Sequence, residues 1–121
     1  MKIKNIKFKA KQLNSGKWFE GDLVHLGNRV CIGGDHIKDG ITDVDPSTVC
    51  QFTGLKDCEG KEIWEGDIVE RVIYDLFKGS AKVKAVIEYL DGAFVAITDG
   101  IPYSLYFKYI KVIGNKFDKD K

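Results

Sequence analysis

Apolar and polar residues alternate with a period of two along much of this chain, and this pattern constrains its fold most. In "IKFKAK", Ile6, Phe8 and Ala10 would share one face of an extended segment and three lysines the other. "AKVKAVIEY", from Ala81 to Tyr89, repeats the pattern. A period of two is typical of half-buried β-strands, and no stretch of the sequence carries a sustained 3.6-residue apolar stripe. The chain is therefore predicted to be mainly β, a meander or small barrel.

Turn residues separate these segments. Asp91-Gly92 stands between "VIEYL" and "AFVAI", and Asp-Gly at this position is a strong hairpin signal because a type I′ turn needs positive φ at both residues. Gly27-Asn28 is predicted to connect "DLVHL" to "RVCI" in the same way. A short helical turn is expected at 104–108.

The sequence also repeats a motif, as "GKWFEGDLV" and, 45 residues later, "GKEIWEGDIV". The repeated positions are Trp18, Gly21 and Asp22 in the first copy and Trp64, Gly66 and Asp67 in the second. In each copy we expect the glycine to permit a tight bend or bulge and the aspartate to hold that bend by bonding backbone N–H groups. Each tryptophan is expected to anchor a core.

With 121 residues, the chain is predicted to be one domain, 1–121. Sub-units 1–55 and 56–115, followed by a flexible tail at 116–121, are left open, as is duplication of one β unit. An SH3-like barrel is expected over 60–115.

Charge is distributed unevenly although the net charge is only +1. Residues 1–12 and 108–121 each contain five lysines, whereas 57–70 contains six acids against Lys61. Opposite patches on a near-neutral chain favour self-association. We therefore expect a homo-oligomer whose contacts weaken with salt, the lysine-rich ends meeting the acidic segment in the same chain or in a neighbour.

Composition and cysteine spacing indicate the cellular location and whether a metal or cofactor is expected. No apolar run approaches the roughly 18 residues of a membrane span, and the basic N-terminus lacks the apolar region of a signal peptide, so a cytoplasmic location is expected. Cys31, Cys50 and Cys58 show no CxxC spacing. Reduced structural cysteines are favoured over metal ligands joined with His25 and His36, and no metal or cofactor is expected.

The carboxylates offer two weak site patterns. Glu20 with Asp22, and Glu65 with Asp67, are i, i+2 pairs that could serve as acid and base, but a turn role is favoured because no nucleophile motif lies nearby. The aspartates of "GDHIKDGITDVDP" do not match the calcium loop of an EF-hand, and a solvated, mobile loop is expected. No catalytic set is found, and the protein is not expected to be an enzyme.

The longest block, "VDPSTVCQFTGLKDCEGKEIWEGDIV" from Val44 to Val69, resembles the signature of the YopX family of small phage and prophage proteins. "IKFKAK", "GKWFEGDLV", "VIEYLDGAFV" and "VIGNKFD" extend the resemblance over most of the chain. Cys50 stands where such proteins more often have glycine, and Cys58 where they usually have a polar or charged residue. The resemblance implies phage or prophage origin and a mainly β fold, and it transfers no mechanism, since the family has no established activity.

Two classes of function remain. The favoured one is a non-enzymatic accessory protein that binds itself or a phage or host protein. The alternative is a small nucleic-acid-binding β-barrel, in which aromatics stack on bases within a basic groove. Its candidate contacts are Lys82, Lys84, Tyr103, Tyr106, Lys108 and Lys111.

Overall fold

The computed structural model describes residues 2–77, 79–105 and 109–118 and confirms the mainly β prediction. Short 3₁₀ turns lie at Ile3–Asn5 and Pro46–Thr48. The strands within these ranges are β1 Phe8–Lys11, β2 Trp18–Leu26, β3 Arg29–Gly33, β4 Ile41–Asp43, β5 Cys50–Lys56, β6 Glu62–Trp64, β7 Asp67–Asp75, β8 Gly79–Leu90, β9 Ala93–Thr98, β10 Ile101–Tyr103 and β11 Ile110–Asn115.

The strands form two antiparallel sheets. One has the order β4-β3-β2-β1-β5-β6 and the other β10-β9-β8-β7-β11. Across the described part of the chain neither sheet closes on itself, so the SH3-like barrel is not confirmed. The helical turn expected at 104–108 falls largely on residues 106–108, outside the described residues.

The chain divides into two compact units, Met1–Phe52 and Thr53–Lys121. The boundary falls within β5, three residues before the one considered from the sequence. Each unit has its own apolar core. The first is built on Ala10, Ile32, Ile37 and Val44, and the second on Ile63, Val69, Ala85, Ile87, Ala96, Leu105, Ile110 and Val112.

In the first unit the segment after β3 is a hydrogen-bonded turn. Gly34 N donates to Gly40 O at 2.9 Å, and Gly40 N donates to Ile37 O at 2.8 Å. These bonds place Ile37 in the core with 7% of its surface exposed. Ile37 is therefore fixed in the core, whereas the other residues of 35–40 are exposed, as expected for a solvated loop.

Tight hairpins connect the strands where the sequence predicts them. Asp91 and Gly92 have φ of +50° and +87°, as the predicted type I′ turn requires. Asp99-Gly100, between β9 and β10, has φ of +51° and +77° and is a second turn of the same kind. Gly27, between β2 and β3, has φ of +59°, but Asn28 does not have positive φ, so this turn is not of type I′ and the prediction for Gly27-Asn28 is wrong in turn type.

Among the described residues, the hairpin of β7 and β8 extends past the strands that flank it. Strand β11 pairs with β7 only as far as Arg71, and β9 pairs with β8 only from Val86 onward. Residues 72–75 continue to pair with 79–82. We call residues 72–77 with 79–82 the hairpin arm.

No helix among the described residues is long and apolar enough to cross a membrane.

Candidate functional site

An apolar groove of about 540 Å³ lies in the second unit. Its lining comes from the end of β5, from β9, and from β10 with the residues that follow it. The lining residues are Thr53, Leu55, Ala93, Phe94, Val95, Pro102, Tyr103, Ser104 and Leu105. A concave, mostly apolar surface of this size is typical of a binding site.

Two ring contacts hold the aromatic walls of the groove. The guanidinium of Arg71 lies 3.9 Å from the ring centroid of Tyr103, and Arg71 is buried, with 4% of its surface exposed. The rings of Phe94 and Tyr89 meet edge to face with centroids 5.2 Å apart. A cation over an aromatic face and an edge-to-face pair are both favourable arrangements, so side chains of β7 and β8 hold these walls in place.

The end of β5 contributes a threonine whose hydroxyl is already hydrogen-bonded within the fold. Thr53 Oγ1 donates to Ile63 O at 2.7 Å and accepts from Leu55 N at 3.2 Å. These bonds leave the Thr53 methyl group and Leu55 as the groove surface from β5. The arrangement suits apolar side chains of a bound molecule.

The second copy of the repeated motif forms the predicted turn between β6 and β7. Asp67 accepts from Trp64 N at 2.8 Å and from Asn115 Nδ2 at 3.0 Å. Gly66 has φ of +87°, and its N–H donates to Ile87 O at 2.7 Å. Trp64 and Asp67 are both buried. The expected roles of Trp64, Gly66 and Asp67 are therefore those the structure gives them.

The first copy has a different conformation, and the bend expected there is wrong. Gly21 and Asp22 lie inside the continuous strand β2, and Asp22 is exposed. A Cβ on Gly21 would lie 2.2 Å from Gly33 O, so this glycine permits a close strand approach. Trp18 is only half-buried and has Lys9 Nζ 4.8 Å from its ring centroid. Duplication of a β unit is not confirmed.

Asp57, at the start of the turn between β5 and β6, also binds backbone N–H groups. It accepts from Glu59 N at 2.9 Å, from Lys61 N at 2.8 Å and from Val112 N at 2.9 Å. Burial alone would raise the pKa of Asp57, but the hydrogen bonds from these N–H groups outweigh burial and hold the pKa below its ordinary value. The carboxylate is thereby committed to fastening β11 to the turn before β6.

Two of the four aspartates considered as calcium ligands, Asp43 and Asp45, have separate structural partners. Asp43 accepts from Arg29 Nε at 2.9 Å and from Cys31 Sγ at 3.2 Å, and Asp45 caps the second 3₁₀ turn by accepting from Ser47 N. Within residues 2–77, 79–105 and 109–118, no three His, Cys, Asp or Glu side chains are grouped as metal ligands.

The buried cysteines are also bonded within the fold. Cys50 Sγ donates to Thr48 O. Burial, and then the bond to Asp43, raise the pKa of Cys31. Because the thiolate is the nucleophilic form, this environment disfavours reactivity.

The candidate nucleic-acid contacts are divided between faces of the second sheet. Lys84 and Lys111 lie opposite Glu70 on either side, so these two lysines share a face, and Lys82 lies two residues before Lys84 on the same face. Lys82 Nζ is 3.8 Å from Glu70 Oε1.

Tyr103 lies on the opposite face. It pairs with Ala96, which pairs with Ile87 in the core. Tyr106 and Lys108 lie outside the described residues. The structure therefore does not assemble the described candidates into one basic and aromatic surface.

One expected contact between a lysine-rich end and the acidic segment forms within the chain. Lys111, from the lysine-rich C-terminal end, has its Nζ 3.7 Å from Glu59 Oε2 of the acidic segment. The sequence left open whether the lysine-rich ends would meet the acidic segment in the same chain or in a neighbour, and this contact lies within the same chain.

Comparison with known protein families places these features in context. The model of the family described as "YopX protein" matches residues 4–120, nearly the whole chain. The chain belongs to the YopX family. No curated protein matches it.

Within this family member, reasoning from the sequence missed the groove and the hairpin arm. The groove is assembled from segments near residues 53, 94 and 103, which no local pattern relates. The arm did leave a signal, because "YDLFKG" places Tyr74, Leu76 and Phe77 where a hairpin turn is expected to be polar.

Proposed function

We propose that this chain is a non-enzymatic protein-binding module of phage or prophage origin, acting in the cytoplasm of a bacterial host, and that the groove of the second unit is its contact site. The observation that carries the proposal is the groove itself, with walls of Leu55, Phe94 and Tyr103. Protein interfaces concentrate their binding energy where aromatic or aliphatic side chains fill such a pocket.

The bonding of the carboxylates supports a binding role over a catalytic one. Asp57 and Asp67 accept two or three hydrogen bonds each from backbone or Asn115. Both side chains thus stabilise turns and strand ends next to the core that forms the groove. A rigid scaffold with an apolar depression is suited to recognition of a protein surface or peptide.

The nucleic-acid alternative has weaker support in the geometry. Lys82 and Lys111 each lie within 4 Å of a glutamate, which reduces the local positive potential, and Tyr103 is a groove wall. Fluorescence anisotropy with random single- and double-stranded DNA tests it directly. We expect no salt-sensitive micromolar binding; such binding would return this alternative to first place.

A displayed library of random peptides of about 12 residues tests the proposal. Peptides selected on the wild-type chain are re-measured against Ala93→Lys, which places a charged side chain at the exposed rim of the groove, and against Leu13→Lys, an exposed apolar site in the first unit. We expect apolar or aromatic consensus residues and at least about a tenfold loss of affinity in Ala93→Lys only. Selected peptides that bind both variants equally would refute the groove as the contact site.

A further inference from the structure

We infer that the groove receives the tip of the hairpin arm from a second copy of this chain, so that two copies associate by exchanging arms. The inference rests on the proposed function, because it names the partner of the same groove. It is carried by the match between two apolar features of the second unit.

The arm tip is unusually apolar for a hairpin end. Leu76 is 100% exposed, Phe77 95% and Tyr74 76%. Large apolar side chains grouped at an exposed tip mark an interaction site more often than a solvated turn. The tip therefore presents anchors of the type that fill apolar pockets.

The tip is directed away from the groove of its own chain. Arg71, the last residue of β7 paired with β11, stacks on the groove wall at Tyr103. From Arg71 the strand continues in regular pairing with β8, and a strand rises about 3.3 Å per residue, so Tyr74, the first residue of the arm tip 74–77, lies about 10 Å beyond Arg71 along β7. A paired ribbon does not fold back over so short a distance, and an arm that enters a groove must come from another copy.

The sizes of the two features agree. The groove of about 540 Å³ has room for more than one large side chain. Aromatic side chains bury about 150–250 Å² each, so an arm tip carrying Tyr74, Leu76 and Phe77 would bury on the order of 500 Å². Counting the groove surface covered and both arms of a reciprocal pair, the total is roughly 1,200–1,300 Å², the lower end of the range of specific interfaces.

This contact differs in character from a charge-driven one. Arm tip and groove are both apolar, whereas Lys111 already faces Glu59 in its own chain. Association through the arm should therefore persist or strengthen as salt rises, while association between lysine-rich and acidic patches should weaken.

Sedimentation velocity of the full chain from about 1 to about 100 µM tests the inference by mass action. We expect the wild type to dimerise reversibly, and the double variant L76S/F77S and the groove variant A93K each to shift the dissociation constant at least tenfold. Leu13→Ser, which also removes an exposed apolar side chain, should leave it unchanged. Circular dichroism confirms that each variant is folded.

Mixing the two defective variants gives the sharpest outcome. L76S/F77S retains a groove and A93K retains an arm, so the mixture should form a one-to-one complex that neither forms alone. Phe77→Cys and Ala93→Cys, placed on separate chains that both carry Cys58→Ser, should form an intermolecular disulfide when a mild oxidant such as oxidised glutathione is added.

Failure of the inference and failure of the proposed function are distinguishable. A wild type that stays monomeric, or a dimer unaffected by both sets of variants, overturns arm exchange. If library peptides nevertheless bind wild type and not Ala93→Lys, the groove remains a protein-binding site for another partner. If the peptides ignore the groove as well, both fail.

Discussion

At the scale of single residues, the two aspartates of the repeated motif have opposite environments. Asp67 is 3% exposed and accepts from Trp64 N and Asn115 Nδ2. Asp22 is exposed and lies in mid-strand. Removing an acceptor leaves a buried donor without its bond, which costs more than loss of a solvated carboxylate.

We therefore expect Asp67→Ala to lower the free energy of unfolding by about 2–4 kcal/mol and Asp22→Ala to change it by less than about 0.5 kcal/mol. Urea denaturation followed by tryptophan fluorescence measures both. Equal losses would show that the first copy has the same structural role as the second.

Asp57 makes stability depend on pH. Its folded-state pKa lies below the ordinary value of 3.8 because three N–H groups bond its carboxylate. A depressed folded pKa contributes stability that is complete above the unfolded pKa and is lost as pH falls through the folded pKa. Acid below pH 3.8 should therefore weaken the attachment of β11.

The variant Asp57→Asn tests this contribution. We expect it to cost about 1–3 kcal/mol at neutral pH, since it weakens three buried bonds, and its difference from wild type should shrink as pH falls below 3.8. Urea denaturation at several pH values measures it, with the exposed Asp39→Asn as control. A difference that is constant with pH would contradict the linkage.

At the scale of elements, turn chemistry sets the hairpins. Gly92 has φ of +87° and Gly114 does not have positive φ, while a Cβ on either would meet nothing within 4 Å. Any difference between alanine substitutions at the two positions therefore comes from backbone conformation alone.

We expect Gly92→Ala to destabilise the protein by about 1 kcal/mol or more, and Gly114→Ala to be neutral or slightly stabilising because it reduces the entropy of the unfolded chain. Thermal unfolding measures both changes. Similar losses of stability at the two sites would mean that the positive φ of Gly92 in the type I′ turn is not the reason why alanine destabilises the protein there.

The secondary-structure elements were predicted best from the sequence, because the apolar–polar alternation around Phe8 and Ile87 and the Asp91-Gly92 turn are local signals. Tertiary context decided the rest. The same Glu-Gly-Asp letters form a turn before β7 and a straight strand in β2, because Gly21 lies against Gly33 O whereas Gly66 donates to Ile87 O. The groove depends on such long-range pairing, so no local sequence pattern could predict it.

At the scale of the whole molecule, association through the arm would contribute to folding stability. Binding of a second native copy stabilises the native state by mass action, which makes the unfolding temperature depend on protein concentration. Each tenfold rise in concentration above the dissociation constant is worth up to about 1.4 kcal/mol per dimer.

The last prediction uses this linkage. We expect the thermal midpoint of the wild type to rise by a few degrees, roughly 2–5 °C, between about 1 and about 100 µM, and that of L76S/F77S to stay constant. Leu13→Ser should behave as the wild type, because its exposed side chain lies outside the arm and the groove. Differential scanning fluorimetry and calorimetry cover this range. A midpoint that rises equally in L76S/F77S would assign the association to another surface, and one that is constant in the wild type would mean that native copies do not stabilise one another.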